Sequence, residues 1–190
     1  MVAVVCGGLL GSLVGCSSLQ GTGDKGYITG EGRVVEVGLA EREDAIELTG
    51  DDLQGDPVDV ADFRGKPVVV TVWGSWCAPC RAEADEVAAV ARQYDGKAQF
   101  VGINIRDANQ AQGEAFERAH DLSFPSIFSP GGDTLLSFPG TLTASTIPAF
   151  VVLDAEGRVA ASIIGPLPSQ GTLETLVEDA VSESRSKTDG

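Results

Sequence analysis

The sequence is poor in cations, thiols and histidine. Its 190 residues hold 13 Lys and Arg against 28 Asp and Glu, for a formal net charge of -15, with only 4 cysteines and 1 histidine. An acidic balance of that size repels phosphate backbones and argues against nucleic acid as a partner. It also leaves no basic patch for anionic lipid head groups, so contact with a membrane needs another device. No internal repeat is present, and no apolar run approaches the about 20 residues of a membrane-spanning helix. What remains is an apolar fraction of 43%, enough for a buried core. The length fits one domain plus a short appendage.

The first fifteen residues carry no charged side chain, and Val2 to Val14 is a run of Val, Leu, Ala and Gly broken by Cys6 and Ser12. That length suits the apolar region of a signal peptide. It ends in Leu13-Val14-Gly15-Cys16, followed by the polar Ser17-Ser18-Leu19-Gln20. This resembles a bacterial lipobox, which implies cleavage after residue 15 and diacylglycerol on Cys16. Two acyl chains make a durable anchor where one binds only marginally. No Lys or Arg precedes the run, a departure from the usual charged start of such a leader. Residues 1–15 are therefore expected to be a lipoprotein signal peptide. Residues 16–42, rich in Gly, Ser and Thr, are expected to be a lipidated N-terminus and flexible tether. The expected location is the extracytoplasmic face of a bacterial cell membrane.

The folded domain is expected over 43–183, with a frayed tail at 184–190. Ala45-Ile46-Glu47-Leu48 and Pro57-Val58-Asp59-Val60 alternate around Thr49–Asp56 and predict an N-terminal β-hairpin extension. Val68 to Trp73 is a continuous β-branched run, the mark of a central strand covered on both faces. A helical pattern follows from Cys77 to about Tyr94, then a buried strand from Ala98 to Ile105 and a helix from Ala108 to about Leu122. The Pro- and Gly-rich stretch Phe124–Thr146 predicts a short strand and one helical turn around Thr134–Phe138. A hairpin of Ala149–Leu153 and Val159–Ile164 and a helix from Leu173 to about Ser182 close the chain. This order predicts an α/β fold, a mixed central sheet with helices on both faces.

With Cys6 leaving in the leader and Cys16 lipidated, Cys77 and Cys80 are the only thiols of the mature domain. An exported chain with one close pair has no disulfide framework, so the pair reads as a working dithiol. It falls where a buried strand ends and a helix begins. Backbone N–H groups of the first helical turn lack partners and carry partial positive charge, which lowers a thiol pKa from about 8.5 toward neutrality. Cys77 is expected to be the exposed nucleophile, and Cys80, one turn on and facing inward, the thiol that resolves the mixed disulfide. Pro79 suits the first turn, where its missing N–H is harmless. Structural zinc wants four Cys or His ligands, and a covalent haem site wants His where Arg81 stands. The single His120, distant in sequence, reads as a surface histidine rather than part of a peroxidase or copper site.

Val68–Glu83, VVVTVWGSWCAPCRAE, strongly resembles the membrane-anchored TlpA/ResA branch of the thioredoxin superfamily. The likeness runs from about Ile46 to Val181, through DLQGDPVDVADFRGK and STIPAFVVLDAEGRVAA. Within that branch it is most similar to the thioredoxin-like lipoproteins that accompany cytochrome c assembly in high-GC Gram-positive bacteria. The resemblance implies a thioredoxin-like fold and a proline, Pro148, held in cis beside the dithiol, leaving the backbone of Ile147 to pair with an extended substrate segment. It implies that Glu83, on the Cys80 side of the helix, accepts a proton during resolution, since Thr71 stands where cytoplasmic thioredoxins carry a buried aspartate. Trp76 is expected at the rim, with Ala78, Pro79, Ile147 and Pro148 tuning the dithiol or binding substrate, and Trp73 in the core. Ala84-Asp85 stand where the branch often has proline. Arg81, Asp85 and Glu86 read as surface charge.

These features predict a reductase of protein disulfides, apocytochrome c CxxCH among its expected substrates. The resemblance implies re-reduction by a membrane thiol transporter of the CcdA/DsbD type, with no cofactor and no metal. A net oxidant or isomerase uses the same residues in reverse, since direction follows reduction potential. A non-enzymatic metal- or substrate-binding lipoprotein is the rival of another class. A peroxiredoxin lacks support, because Gly74 stands where that family has threonine.

Overall fold

The computed structural model describes residues 32–188. The expected signal peptide, Cys16 and the first part of the expected tether lie outside the described residues. Eleven regular elements follow in order: β1 (Arg33–Glu36), β2 (Thr49–Asp51), β3 (Pro57–Asp59), β4 (Val68–Trp73), α1 (Ala78–Gln93), β5 (Gln99–Asn104), α2 (Gln110–His120), β6 (Ser126–Phe128), β7 (Ala149–Leu153), β8 (Val159–Ile164) and α3 (Gln170–Thr188). Six strands form one mixed sheet in the order β1-β8-β7-β4-β5-β6, and β2 pairs with β3 separately. Every residue of β4 is buried, as its β-branched run requires, between parallel β5 and antiparallel β7.

The long helices do not cover both faces. Val69, Phe100, Phe150 and Ile163 pack against α1 through Val87 and Val90 and against α3 through Leu173 and Val177. Phe116 of α2 joins Trp73 and Ala84 on this side. The chain steps from β4 to β5 to β6 in one direction across the sheet, so two right-handed crossovers put α1 and α2 on the same face. The opposite face buries Val68, Val70, Ile103 and Val151 under Ile46, Leu48, Val58, Leu135 and Phe138. Short 3-10 turns at Val60–Phe63 and Asp133–Ser137 lie in that cover.

Three boundaries differ from the sequence reading. The ordered domain begins by Gly32, inside the expected tether: Arg33–Glu36 pairs antiparallel with Ile164–Ala161, and Val34 packs on the helix-side core. A short strand in a Gly-rich setting gave too little periodicity to read. The hairpin ladder joins Thr49–Asp51 to Pro57–Asp59, not Ala45–Leu48. Ile46 and Leu48 are core residues outside the ladder; the Ile46 N–H goes to Gly157 O at 2.8 Å. Finally, α3 runs on to Thr188 through the expected tail. Lys187 in its last turn bonds Glu156 at 2.8 Å and Glu183 at 3.2 Å, a cation suited to a helix C-terminus.

Arg42 also reaches across the domain. Its guanidinium donates to Asp154 at 2.9 Å and bidentately to Glu183 at 2.8 and 2.9 Å, with only 8% of the side chain exposed. It ties the segment after β1 to the β7–β8 turn and to α3. Arg42→Ala leaves Glu183 without this partner and is expected to lower unfolding free energy by about 1.5–3 kcal/mol. The check is a urea melt whose midpoint falls while its slope is unchanged.

Candidate active site

The site forms where β4 leaves the sheet. After Trp73 the chain turns through Gly74, and Cys77 becomes the N-cap of α1, with φ -75° and ψ 112°. A side chain at Gly74 has no room: an added Cβ lies 2.6 Å from Trp76 Nε1 and 2.8 Å from Ile105 O. Cys77 and Cys80 are joined as a disulfide, their Cα atoms 5.2 Å apart. The Cys80 N–H donates to Cys77 Sγ at 3.2 Å, so this sulfur takes the capping place that Ser or Asp usually fills. A thiolate at that atom accepts the same bond with charge assistance at the positive end of the helix.

Both sulfurs are more enclosed than the sequence reading had them. Cys77 was expected to be exposed, yet in the disulfide it is 4% accessible, close to the 3% of Cys80. Both join a cluster with Leu53, Trp73, Ala84 and Phe116, against which Ile147 packs from the loop before β7. The two positions still differ. Cys77 lies just beneath exposed Trp76, Ala78 and Pro79. Cys80 faces inward onto a cavity of about 10 Å³ shared with Glu83, Thr71, Trp73 and Phe116, room for one water at most.

Glu83 is buried on the inner side of α1, 8% exposed, its Oε2 accepting the Leu167 N–H at 2.8 Å. Burial drives its pKa up from the ordinary 4.5 to about 7; the Leu167 N–H opposes the rise and Glu86 adds to it. The Ile147–Pro148 bond is cis, as the resemblance implied. Among the described residues the Ile147 N–H and C=O take no backbone partner, leaving both open to an extended segment. Trp76 is 44% exposed at the rim, its Nε1 donating to Ile105 O at 3.1 Å, and Trp73 is core, stacked 4.7 Å from Phe116. His120 is not a bare surface residue: it lies 4.5 Å from the Phe116 ring and 2.7 Å from Asp85 Oδ1.

Sequence reasoning missed a polar clamp behind the nucleophile. The Asp107 carboxylate accepts the Ser75 N–H at 3.2 Å, the Ser75 hydroxyl at 2.6 Å and Asn104 Nδ2 at 2.7 Å. Asp107 and Asn104 are 2% and 0% exposed. They hold the loop two residues ahead of Cys77 onto the end of β5. A signal was present: polar Asn104 ends an apolar strand opposite Trp73, with an acid three residues on, at the carboxyl edge of parallel strands where such folds gather their sites. Another buried acid that the sequence did not mark, Glu117, accepts from Gln54 Nε2 at 3.4 Å. Burial raises its pKa, against hydrogen bonds from Ser126 and Gln54.

Two outcomes follow. Because the folded Glu83 titrates near 7 against 4.5, the native chain keeps a proton between those values that the unfolded chain releases. Stability therefore falls as pH rises from about 4.5 to 7, by on the order of 3 kcal/mol; Glu83→Gln is expected to flatten that slope in chemical melts run across pH. Asp107→Ala leaves three donors without their acceptor and is expected to remove about 1–3 kcal/mol. The check is a urea melt together with the change in tryptophan emission as the disulfide is reduced.

Comparison with known proteins places these features in a family. The Redoxin family model matches residues 41–179. The thiol-disulfide oxidoreductase ResA of Bacillus thuringiensis subsp. konkukian is 28% identical over 153 residues, covering 80% of this chain and 83% of that one. A DsbF homologue from Corynebacterium diphtheriae superposes with TM-score 0.72 at 32% identity, over 77% of this chain and 92% of that one. A secreted thiol-disulfide isomerase from Corynebacterium glutamicum gives TM-score 0.74 at 28% identity, over 78% and 92%. The helix-capping cysteine pair and these relatives agree: the chain belongs to the redoxin family and is a thiol–disulfide oxidoreductase of the ResA-like kind, with a thioredoxin-like fold.

Proposed function

We propose that the chain is a membrane-anchored, extracytoplasmic reductase of protein disulfides, with apocytochrome c CxxCH as a substrate. The observation that carries the reductase chemistry is the pairing of a helix-capping sulfur at Cys77 with a buried carboxylate near Cys80 whose pKa is about 7. In the reduced protein, the Cys77 thiolate attacks one sulfur of a substrate S–S bond. A mixed disulfide forms, and the first substrate sulfur leaves as a thiolate and takes a proton from solvent. The Cys80 thiol passes its proton to the Glu83 carboxylate and attacks Cys77 Sγ. The second substrate thiolate leaves and is protonated, and the protein is left as the Cys77–Cys80 disulfide. The substrate has gained two electrons and two protons. A base of pKa near ambient pH is well matched to the resolving step. No cofactor takes part, since both electrons travel in the sulfur–sulfur bond.

The anchor rests on the lipobox-like Leu13-Val14-Gly15-Cys16, and the extracytoplasmic location on that leader. The substrate and a CcdA/DsbD-type thiol transporter as electron donor rest on the resemblance to cytochrome c assembly lipoproteins. A net isomerase or oxidant is the second reading, favoured by the name of the C. glutamicum relative. The reduction potential separates them: related folds span roughly -270 to -120 mV, and a value at the oxidising end favours the second.

Cys77→Ser is expected to abolish reduction of insulin by the dithiothreitol-charged protein, whereas Cys80→Ser retains substrate as a mixed disulfide seen on a non-reducing gel. Turnover by the Cys77 variant at the parent rate would overturn the assignment.

A further inference from the structure

Two cations stand at the mouth of the site in a chain that is otherwise acidic. Arg81, exposed in the first turns of α1, folds back so that its guanidinium donates to Ser75 O at 3.2 Å. Arg106, exposed just beyond β5, has φ 60°, a left-handed backbone uncommon outside glycine. Its guanidinium lies over the Trp76 ring, 5.9 Å from the centroid, and donates to Ala144 O at 3.0 Å. It thereby bridges the rim tryptophan to the loop that carries Ile147.

Neither arginine has a carboxylate partner among the described residues. Of the nearby acids, Asp107 is turned inward to Ser75 and Asn104 and Glu83 to the Leu167 N–H, while Asp85, one turn beyond Arg81 and exposed, lies against His120. Arg81 is the only charged residue in Gly74–Arg81, and none occurs in Pro139–Pro148. The exposed charge bordering the dithiol in these segments is thus positive. The net -15 acts over the whole surface and is largely screened beyond about 8 Å at physiological salt, whereas a group seated on Trp76 meets the arginines directly.

We propose that Arg81 and Arg106 form a cationic rim that selects disulfide substrates bearing a carboxylate beside the cystine, with Trp76 covering the adjoining apolar surface. This deepens the reductase reading and rests on it. Each arginine holds a substrate carboxylate in the encounter and in the mixed disulfide, and Arg106 does so already fixed by its stack and its bond to Ala144 O.

The test uses cystine peptides of one sequence carrying Glu, Ser or Lys on both sides of the disulfide. Each is reduced by the full-length protein at about 0.15 M salt, and its rate is divided by that with free dithiothreitol to remove intrinsic reactivity. The Glu peptide is expected to outpace the Lys peptide, with each arginine contributing up to about fivefold. In R81Q/R106Q the Glu-to-Lys ratio falls toward one, and in R106K, which keeps the charge, most of it returns. Equal normalised rates in the parent, a Lys preference, or an unchanged ratio in R81Q/R106Q overturns the cationic rim while leaving the reductase reading intact. Failure to reduce any peptide overturns the reductase reading.

Discussion

The site depends on one unmet demand of the backbone. A helix that starts abruptly from a buried strand leaves its first N–H groups without partners, and burial makes such donors expensive to leave open. In this chain Cys77 Sγ answers that demand by accepting the Cys80 N–H. The sulfur that caps the helix is the one set to ionise, so the interaction that orders the turn also favours the reactive charge state. Gly74, Pro79 and the three-residue spacing are conditions for it. Gly74 lets Trp76 fold over the loop, Pro79 needs no partner in the first turn, and the spacing brings the second sulfur within bonding distance.

A second constraint opposes the first. Charge favours solvent, but the exchange needs its proton acceptor inside, near the resolving thiol. Glu83 meets this by sacrificing stability at neutral pH: desolvation lifts its pKa to about 7, and one hydrogen bond from Leu167 keeps the ionised form accessible. The helix side of the sheet is where that balance is possible. Thr71, Phe116 and Phe150 line the space that Cys80 and Glu83 share, which admits a single water at most.

The sequence disclosed what local rules govern. Val68–Trp73 had to be a doubly covered strand, CAPC had to open a helix, and the spacing from Cys80 to Glu83 put the acid on the side of the second sulfur. What it hid were consequences of distant packing. Cys77 is buried in a cluster that gathers Leu53, Phe116 and Ile147 from distant parts of the chain, and no pattern around Cys77 announces it. The place of α2 on the same face as α1 follows from strand order, which periodicity does not encode. β1 exists because β8 offers an edge to Arg33–Glu36, four residues too few to advertise themselves. The Asp107 clamp lay between these extremes: its residues were visible as polar interruptions, but their convergence on Ser75 needed the fold.

The distribution of ion pairs shows how a strongly acidic chain keeps a cationic entrance. Arg42, Arg158 and Lys187 are spent on Asp154, Glu156 and Glu183, where they bind the early segment, the β7–β8 turn and the end of α3 into one network. Arg92 and Arg118 pair with Asp121 and Glu114 on the helix surface. Arg81 and Arg106 are bonded to carbonyl oxygens instead. A carbonyl fixes a guanidinium without neutralising it, so the positive charge is both ordered and available. Had Arg81 met Asp85 and Arg106 met Asp107, the rim would carry no net sign. Asp107 is held instead by the Ser75 clamp and Asp85 by His120, so the contact that shapes the nucleophile's loop also keeps Asp107 from pairing with Arg106.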